Sequence, residues 1–250
     1  MITIILMEPE KSGNVGAVSR AMANFGFDKL VIINPKCNPL DDEAMRRAKH
    51  SQQILKKAKI VKKDILKKFD IVIATTAIKG DDYNVARCSL NLEELKNKIT
   101  KKAIKNATGK SAKNSKNNIG LLFGREGIGL TNEEVEQADF TVTIPTSEKY
   151  KTMNLSHSVA VVLYELSKTS KIKNATGKSA KNSKKEENDI YATQKDKQIL
   201  FGYINKTIDK SDEDKSKKSV QKIVWKRVIG KAMITKRECF SLCGYFKGLK

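Results

Sequence analysis

The stretch that decides the fold is Leu121-Leu122-Phe123-Gly124-Arg125-Glu126-Gly127-Ile128-Gly129-Leu130. An apolar run of strand character ends in a glycine-dense turn. Glycine has no Cβ, so such a turn lets backbone come close to a bound ligand. Downstream, Ile144-Pro145 closes another strand, and Met153-Asn154-Leu155-Ser156-His157-Ser158-Val159-Ala160 is a polar turn opening a helix. Two turns of this kind at neighbouring strand ends form the crevice in which an open α/β sheet binds small molecules. Neither has the Gly-x-Gly-x-x-Gly spacing of a dinucleotide site, nor a complete phosphate loop.

The flanking sequence repeats the strand–helix alternation. Thr3–Met7 is an apolar, β-branched run and reads as a central strand. Asn14 is placed to cap a helix running to about Phe25, with Val15, Val18, Met22 and Phe25 on one face and Gly26 ending it. Leu30–Ile33 and Ile71–Ala74 are further strands. Asp41 to about Lys57 reads as one helix, acidic at its start and basic at its end, the polarity the helix dipole favours. A helix begins at Asn91. Ile119–Phe123 and Phe140–Ile144 are strands separated by a short helix with a capping box, Thr131 and Glu134. Asn154–Ser167 is a strongly apolar helix. This alternation predicts an α/β fold with a parallel sheet and helices on both faces.

Two near-copies, Ile104–Lys116 and Ile172–Lys184, both read IKNATGKSAKNSK. They lack apolar periodicity and read as flexible surface loops. The predicted organisation is therefore an α/β domain over 1–168 with a polar insertion at about 101–118, a polar linker over 169–189, and a helical C-terminal domain over 190–250. In that last part Lys197–Lys206 and Lys218–Met233 have helical spacing, and Thr235 caps a final helix with Glu238 as its third residue.

The formal net charge of +21 points to a polyanionic partner. Its distribution matters: residues 101–118 carry +6 and 168–188 carry +5, both in the polar copies, while 189–250 carry +8 in helix-patterned sequence. Charged residues are 31% of the chain, and no apolar run reaches the length of a membrane span. The start meets acid at Glu8 without a basic leader and reads as a buried strand. Cys37, Cys88, Cys239 and Cys243 form no Cys-x-x-Cys pair, so reduced cytosolic thiols and no metal site are expected.

With Asn14-Val15-Gly16-Ala17-Val18-Ser19-Arg20, the two turns resemble, in order and spacing, the three motifs of the SpoU/TrmH class of SPOUT RNA 2′-O-methyltransferases. Within that class the chain is most similar to the TrmJ family of tRNA methyltransferases. Residues 1–168 carry most of the likeness; Lys226–Glu238 is similar to that family's C-terminal helical segment. The resemblance implies a C-terminal trefoil knot, a homodimer, S-adenosyl-L-methionine as methyl donor and tRNA as substrate, with methylation of the ribose at position 32 of the anticodon loop in a cytosolic enzyme. It implies that Arg20 is catalytic, aided by Asn14, Asn154 and Ser156. It implies cofactor contacts at Thr75, Thr76, Ala77, Gly124, Ile144, Thr152, Met153, Asn154 and Leu155, and a place for Glu126 near the reacting groups.

Each residue also has a plainer reading. Asn14 and Ser156 are good helix caps, Arg20 a solvated charge, the glycines a tight turn, His157 a packed or capping side chain and His50 structural. An arginine clamps phosphate bidentately, whereas a pKa above ~12 makes it a poor proton acceptor. Two rival functions follow from the same sequence: an rRNA ribose methyltransferase, and a catalytically silent RNA-binding protein of the same fold.

Overall fold

The computed structural model describes residues 1–77, 89–107, 118–175 and 191–249. The strands are β1 (Ile2–Met7), β2 (Leu30–Ile33), β3 (Lys59–Val61), β4 (Ile71–Thr75), β5 (Ser89–Leu90), β6 (Ile119–Phe123) and β7 (Phe140–Val142). They form one sheet in the order β3-β2-β1-β6-β4-β7-β5, and each pairing is parallel. β1 and β6, in register from Ile2 opposite Ile119 to Leu6 opposite Phe123, are buried along nearly their whole length. Continuous apolar runs are what a parallel sheet covered on both faces requires.

The helices are α1 (Ser12–Phe25), α2 (Asp42–Ala48), α3 (Gln52–Lys56), α4 (Leu92–Ala107), α5 (Asn132–Gln137), α6 (Leu155–Ala175), α7 (Gln194–Asp209), α8 (Lys215–Ala232) and α9 (Lys236–Gly248). On one face of the sheet, Ile4, Leu6, Leu121 and Phe123 pack with Val15, Val18 and Met22 of α1 and Val159, Val162 and Leu163 of α6. On the other, Ile5, Met7, Val72 and Leu122 pack with Leu66, Phe69, Leu130 and Val135. Each such side chain contributes roughly 1.5–3 kcal/mol by leaving water, and truncating Leu163 to alanine would cost about 2–5 kcal/mol.

Several local signals act as predicted. Gly26 ends α1 at φ 79°. Thr131 with Glu134, and Thr235 with Glu238, form complete capping boxes. Asp41 accepts from the Ala44 amide, which holds its carboxyl below the usual carboxylate range.

Other expectations are corrected. Asn14 is not the cap of α1; Lys11 holds that place without a side-chain cap. The predicted helix from Asp41 to Lys57 is broken by a 3₁₀ turn at Lys49–Ser51, entered through Lys49 at φ 53°. β3 and β5 are short edge strands that carry lysine or serine and gave no apolar run. The polar copies are not loops from their first residue, since α4 runs to Ala107 and α6 to Ala175. The rest of each copy lies outside the described residues.

The three C-terminal helices share a small core of Ala192, Leu200, Ile204, Ile229, Ile234 and Cys239, with Trp225 edge-on to Phe246 at 5.4 Å. They are also joined to the sheet. Tyr191 and Met233 belong to the main core. Lys197 Nζ donates to Asp139 Oδ1 and to the Asp70 carbonyl, both at 2.7 Å. A Cβ at Gly230 would lie 2.0 Å from the Asp139 carbonyl, so α8 meets the start of β7 backbone to backbone. Among the described residues no helix is long and apolar enough to cross a membrane.

Candidate active site

The carboxyl ends of β6, β4 and β7 open onto one cleft of about 300 Å³. Its walls carry Thr75 at the end of β4 with Thr76 and Ala77 after it, Gly124 to Leu130 after β6, Ile144 after β7, and Thr152, Met153 and Leu155 before and at the start of α6. Eight of the nine positions named from the sequence as cofactor contacts therefore line one hollow. The ninth, Asn154, stands between two of them in sequence and bonds to Asn14 and Ser156.

The glycine turn is held by its own chemistry. Arg125 makes two 2.9 Å bonds to the Glu134 carboxylate and a 3.2 Å pair with Glu8. That company pushes its guanidinium pKa up. Its side chain also donates to the Gly129 carbonyl. Gly129 takes φ 71°, a conformation that favours glycine. A Cβ on Gly124 would fall 2.3 Å from the Gly129 carbonyl carbon. Gly124 is thus required by the turn's closure on itself.

Next to the turn, one chain of hydrogen bonds joins all three motifs. Glu126 accepts from the backbone amides of Glu10 and Lys11 at 2.9 and 3.2 Å and from Asn14 Nδ2 at 2.8 Å. It thereby holds the amide of Lys11, the N-cap of α1, and that of the residue before it, where the local sequence offers no side-chain cap. The carboxylate also suits the positive end of the helix dipole. Asn14 Oδ1 accepts from Asn154 Nδ2 at 3.2 Å, and Asn154 Oδ1 accepts from the amide and hydroxyl of Ser156 at 2.9 and 2.8 Å. With Asn154 Nδ2 donating, both amide orientations are fixed along the chain.

Arg20 does not line the cleft. It lies six residues along α1 from Asn14, about 9 Å by helical rise, exposed in a second hollow with Ala17, Arg46, Arg47 and Lys49. His157 and His50 are exposed, so neither is a packed histidine. Sequence reasoning gave Glu126 a place in the site but not its hold on the start of α1, because its partners lie more than a hundred residues away. A larger cleft of about 560 Å³ is lined by α5, α7 and α8, at the opposite ends of the strands. It holds carboxylates and lysines together and no glycine turn, and is not the ligand crevice that this sheet order defines.

Parallel sheet, glycine turn and polar helix start define a SPOUT-type α/β protein with a small-molecule cleft at its strand ends. The chain belongs to the SpoU rRNA methylase family, whose pattern matches residues 1–164. It is 39% identical over 250 residues to the tRNA (cytidine-2′-O-)-methyltransferase TrmJ of Methanocaldococcus jannaschii, covering 99% of both chains. It is 28% identical to the tRNA (cytidine/uridine/adenosine-2′-O-)-methyltransferase TrmJ of Pseudomonas aeruginosa, covering 97% of this chain and 91% of that one. The crystal structure of TrmJ from Z. mobilis ZM4 superposes with a TM-score of 0.68 at 22% identity, over 100% of this chain and 99% of that one. That likeness extends the shared fold through the C-terminal helices.

Proposed function

We propose that the protein is an S-adenosyl-L-methionine-dependent tRNA 2′-O-ribose methyltransferase, cytosolic and homodimeric, acting at nucleotide 32 of the anticodon loop. We place the knot expected of the class around the turns at Gly124 and Asn154, and the catalytic unit within residues 1–168. The observation that carries the reading is the Glu126–Asn14–Asn154–Ser156 chain at the mouth of the cleft. Full-length likeness to relatives named for tRNA 2′-O-methylation supports the RNA class.

The cleft suits the proposed donor. It is of small-ligand size, with apolar walls at Ile128, Leu130, Ile144, Met153 and Leu155 and hydroxyls at Thr75, Thr76 and Thr146. When bound, S-adenosyl-L-methionine supplies an electrophilic methyl group. Thr75, Thr76, Ala77 and the Gly124–Leu130 backbone would hold it. The chain's own residues then position the acceptor. Asn14 and Asn154, locked by Glu126, present amide groups that orient a ribose hydroxyl. Arg20, in the neighbouring hollow, clamps a phosphate of the RNA and so sets where the ribose lies. Fixing both reactants in line contributes several kcal/mol to lowering the barrier.

The test is methyl transfer from tritiated S-adenosyl-L-methionine to an unmodified tRNA transcript and, separately, to ribosomal RNA. Label recovered as 2′-O-methylnucleoside from tRNA supports the proposal. Label in ribosomal RNA alone selects the rRNA reading, and cofactor binding without transfer to either selects the silent one.

A further inference from the structure

The hollow that holds Arg20 has a lining of unusual charge. Its volume is about 300 Å³, and four of its five lining residues are cations: Arg20, Arg46, Arg47 and Lys49. No carboxylate lines it. Glu43, one turn back on α2, engages Arg47 at 2.8 Å. Arg20, Arg46 and Lys49 are exposed and form no ion pair among the described residues. Like charges gathered this way repel one another unless an anion joins them.

The fold builds this cluster. A Cβ on Gly16 would lie 2.2 Å from the Ala44 carbonyl oxygen, so only glycine lets α2 rest directly on α1. The 3₁₀ turn that carries Lys49 is pinned by buried hydroxyls: Ser51 donates to the Ala48 carbonyl at 2.6 Å, and Ser51 and Ser19 share a 2.9 Å bond to α1. Lys49 itself sits at φ 53° and ψ −121°, a conformation suited to glycine and costly for lysine. The dipole of α2 accounts for Arg46 and Arg47 in its last turn. It accounts neither for a strained lysine after the helix has ended nor for Arg20 on another helix.

We propose that Arg20, Arg46, Arg47 and Lys49 form a phosphate-binding subsite that holds the RNA backbone flanking the target nucleotide. This rests on the RNA methyltransferase reading. Arginine forks match phosphate oxygens bidentately, and lysine adds a point charge. Consecutive phosphates of a looped strand occupy a hollow of this size, with Arg20 facing the phosphate nearest the cleft. Arg46 and Lys49 are positioning residues; they touch backbone and not the reacting atoms.

The test uses the full-length protein and an unmodified tRNA transcript. Binding is titrated at several salt concentrations, and kcat and KM are measured. For R46Q/K49Q the expected result is about tenfold weaker tRNA binding near 100 mM salt and a log–log salt slope shallower by about 1.5, from two lost phosphate contacts. KM for tRNA rises with kcat within about twofold, and S-adenosyl-L-methionine affinity is unchanged. A second variant, K49G, is expected to melt no lower than wild type while still losing tRNA affinity, a combination that a structural role for Lys49 does not produce. Wild-type affinity and slope in R46Q/K49Q overturn the subsite while leaving the enzyme reading intact. A wild-type protein that neither binds nor methylates tRNA overturns both.

Discussion

Replacing Lys197 by methionine tests how the C-terminal helices are joined to the sheet. The Lys197 side chain is 3% exposed and its partner Asp139 6%. Their 2.7 Å contact ties α7 to the start of β7. Methionine keeps the length and apolar stem but removes the cation in direct contact with the buried Asp139 carboxylate, leaving the more distant Lys226. Breaking a buried pair from one side costs about 3–5 kcal/mol. Asp139 Oδ2 retains bonds from the Val72 amide at 2.7 Å and Gln194 Nε2 at 2.8 Å, which places the cost near the lower end. At roughly 2–4 °C per kcal/mol for a chain of this size, K197M should melt about 6–12 °C below wild type. The assay is a thermal melt of K197M, D139N and the double variant in one buffer. Removing the charge from Asp139 as well should recover part of the loss, because the orphaned carboxylate is its source. A K197M melt within about 2 °C of wild type would refute the reasoning, and with it the view that these helices dock by a buried charge.

Other outcomes follow from the same structure. R20A should lose methyl transfer while S-adenosyl-L-methionine affinity, read by calorimetry, stays within a few-fold; near-normal turnover sinks the role given to Arg20. I144W should fill the cleft and weaken cofactor binding more than tenfold with little change in melting, and unaltered binding would place the donor elsewhere. E126A should both lower stability by about 1–2 kcal/mol, chiefly through the orphaned Asn14 amide and less through the exposed Glu10 and Lys11 amides ahead of α1, and reduce turnover; a variant with intact kcat denies the hydrogen-bonded chain a part in the reaction. Burial, with the neighbouring Cys243 second, pushes the Cys239 thiol up to about 12. Cys239 should therefore resist a thiol-specific disulfide reagent at pH 8 in the native protein and react on unfolding; labelling at the rate of a free thiol would contradict that.

What was legible in the sequence had local causes. Ile2–Met7 and Ile119–Phe123 are apolar without a break because both faces are covered, and Gly26, Thr131 and Thr235 mark helix ends by chemistry within four residues. The cleft could be read because its walls follow directly on strands. What was not legible depends on partners distant in sequence. Asn14 reads as a cap from its neighbours, yet its contacts are Glu126 and Asn154, 112 and 140 residues away. The break at Lys49 is set by the Ser51–Ser19 contact across two helices. Lys197 reads as a solvated charge on an amphipathic helix until Asp139 is seen beside it. The edge strands β3 and β5 owe their place to a neighbour already formed and not to their own pattern.

The most direct measurement is a map of ribose methylation over total RNA from cells lacking the gene, and from the same cells complemented with wild type or R20A. Resistance of the adjoining phosphodiester to alkaline cleavage reports each 2′-O-methyl group. The expected map loses protection at nucleotide 32 of one or more tRNAs and regains it with wild type but not with R20A. An unchanged tRNA map, or loss confined to ribosomal RNA, would contradict the account.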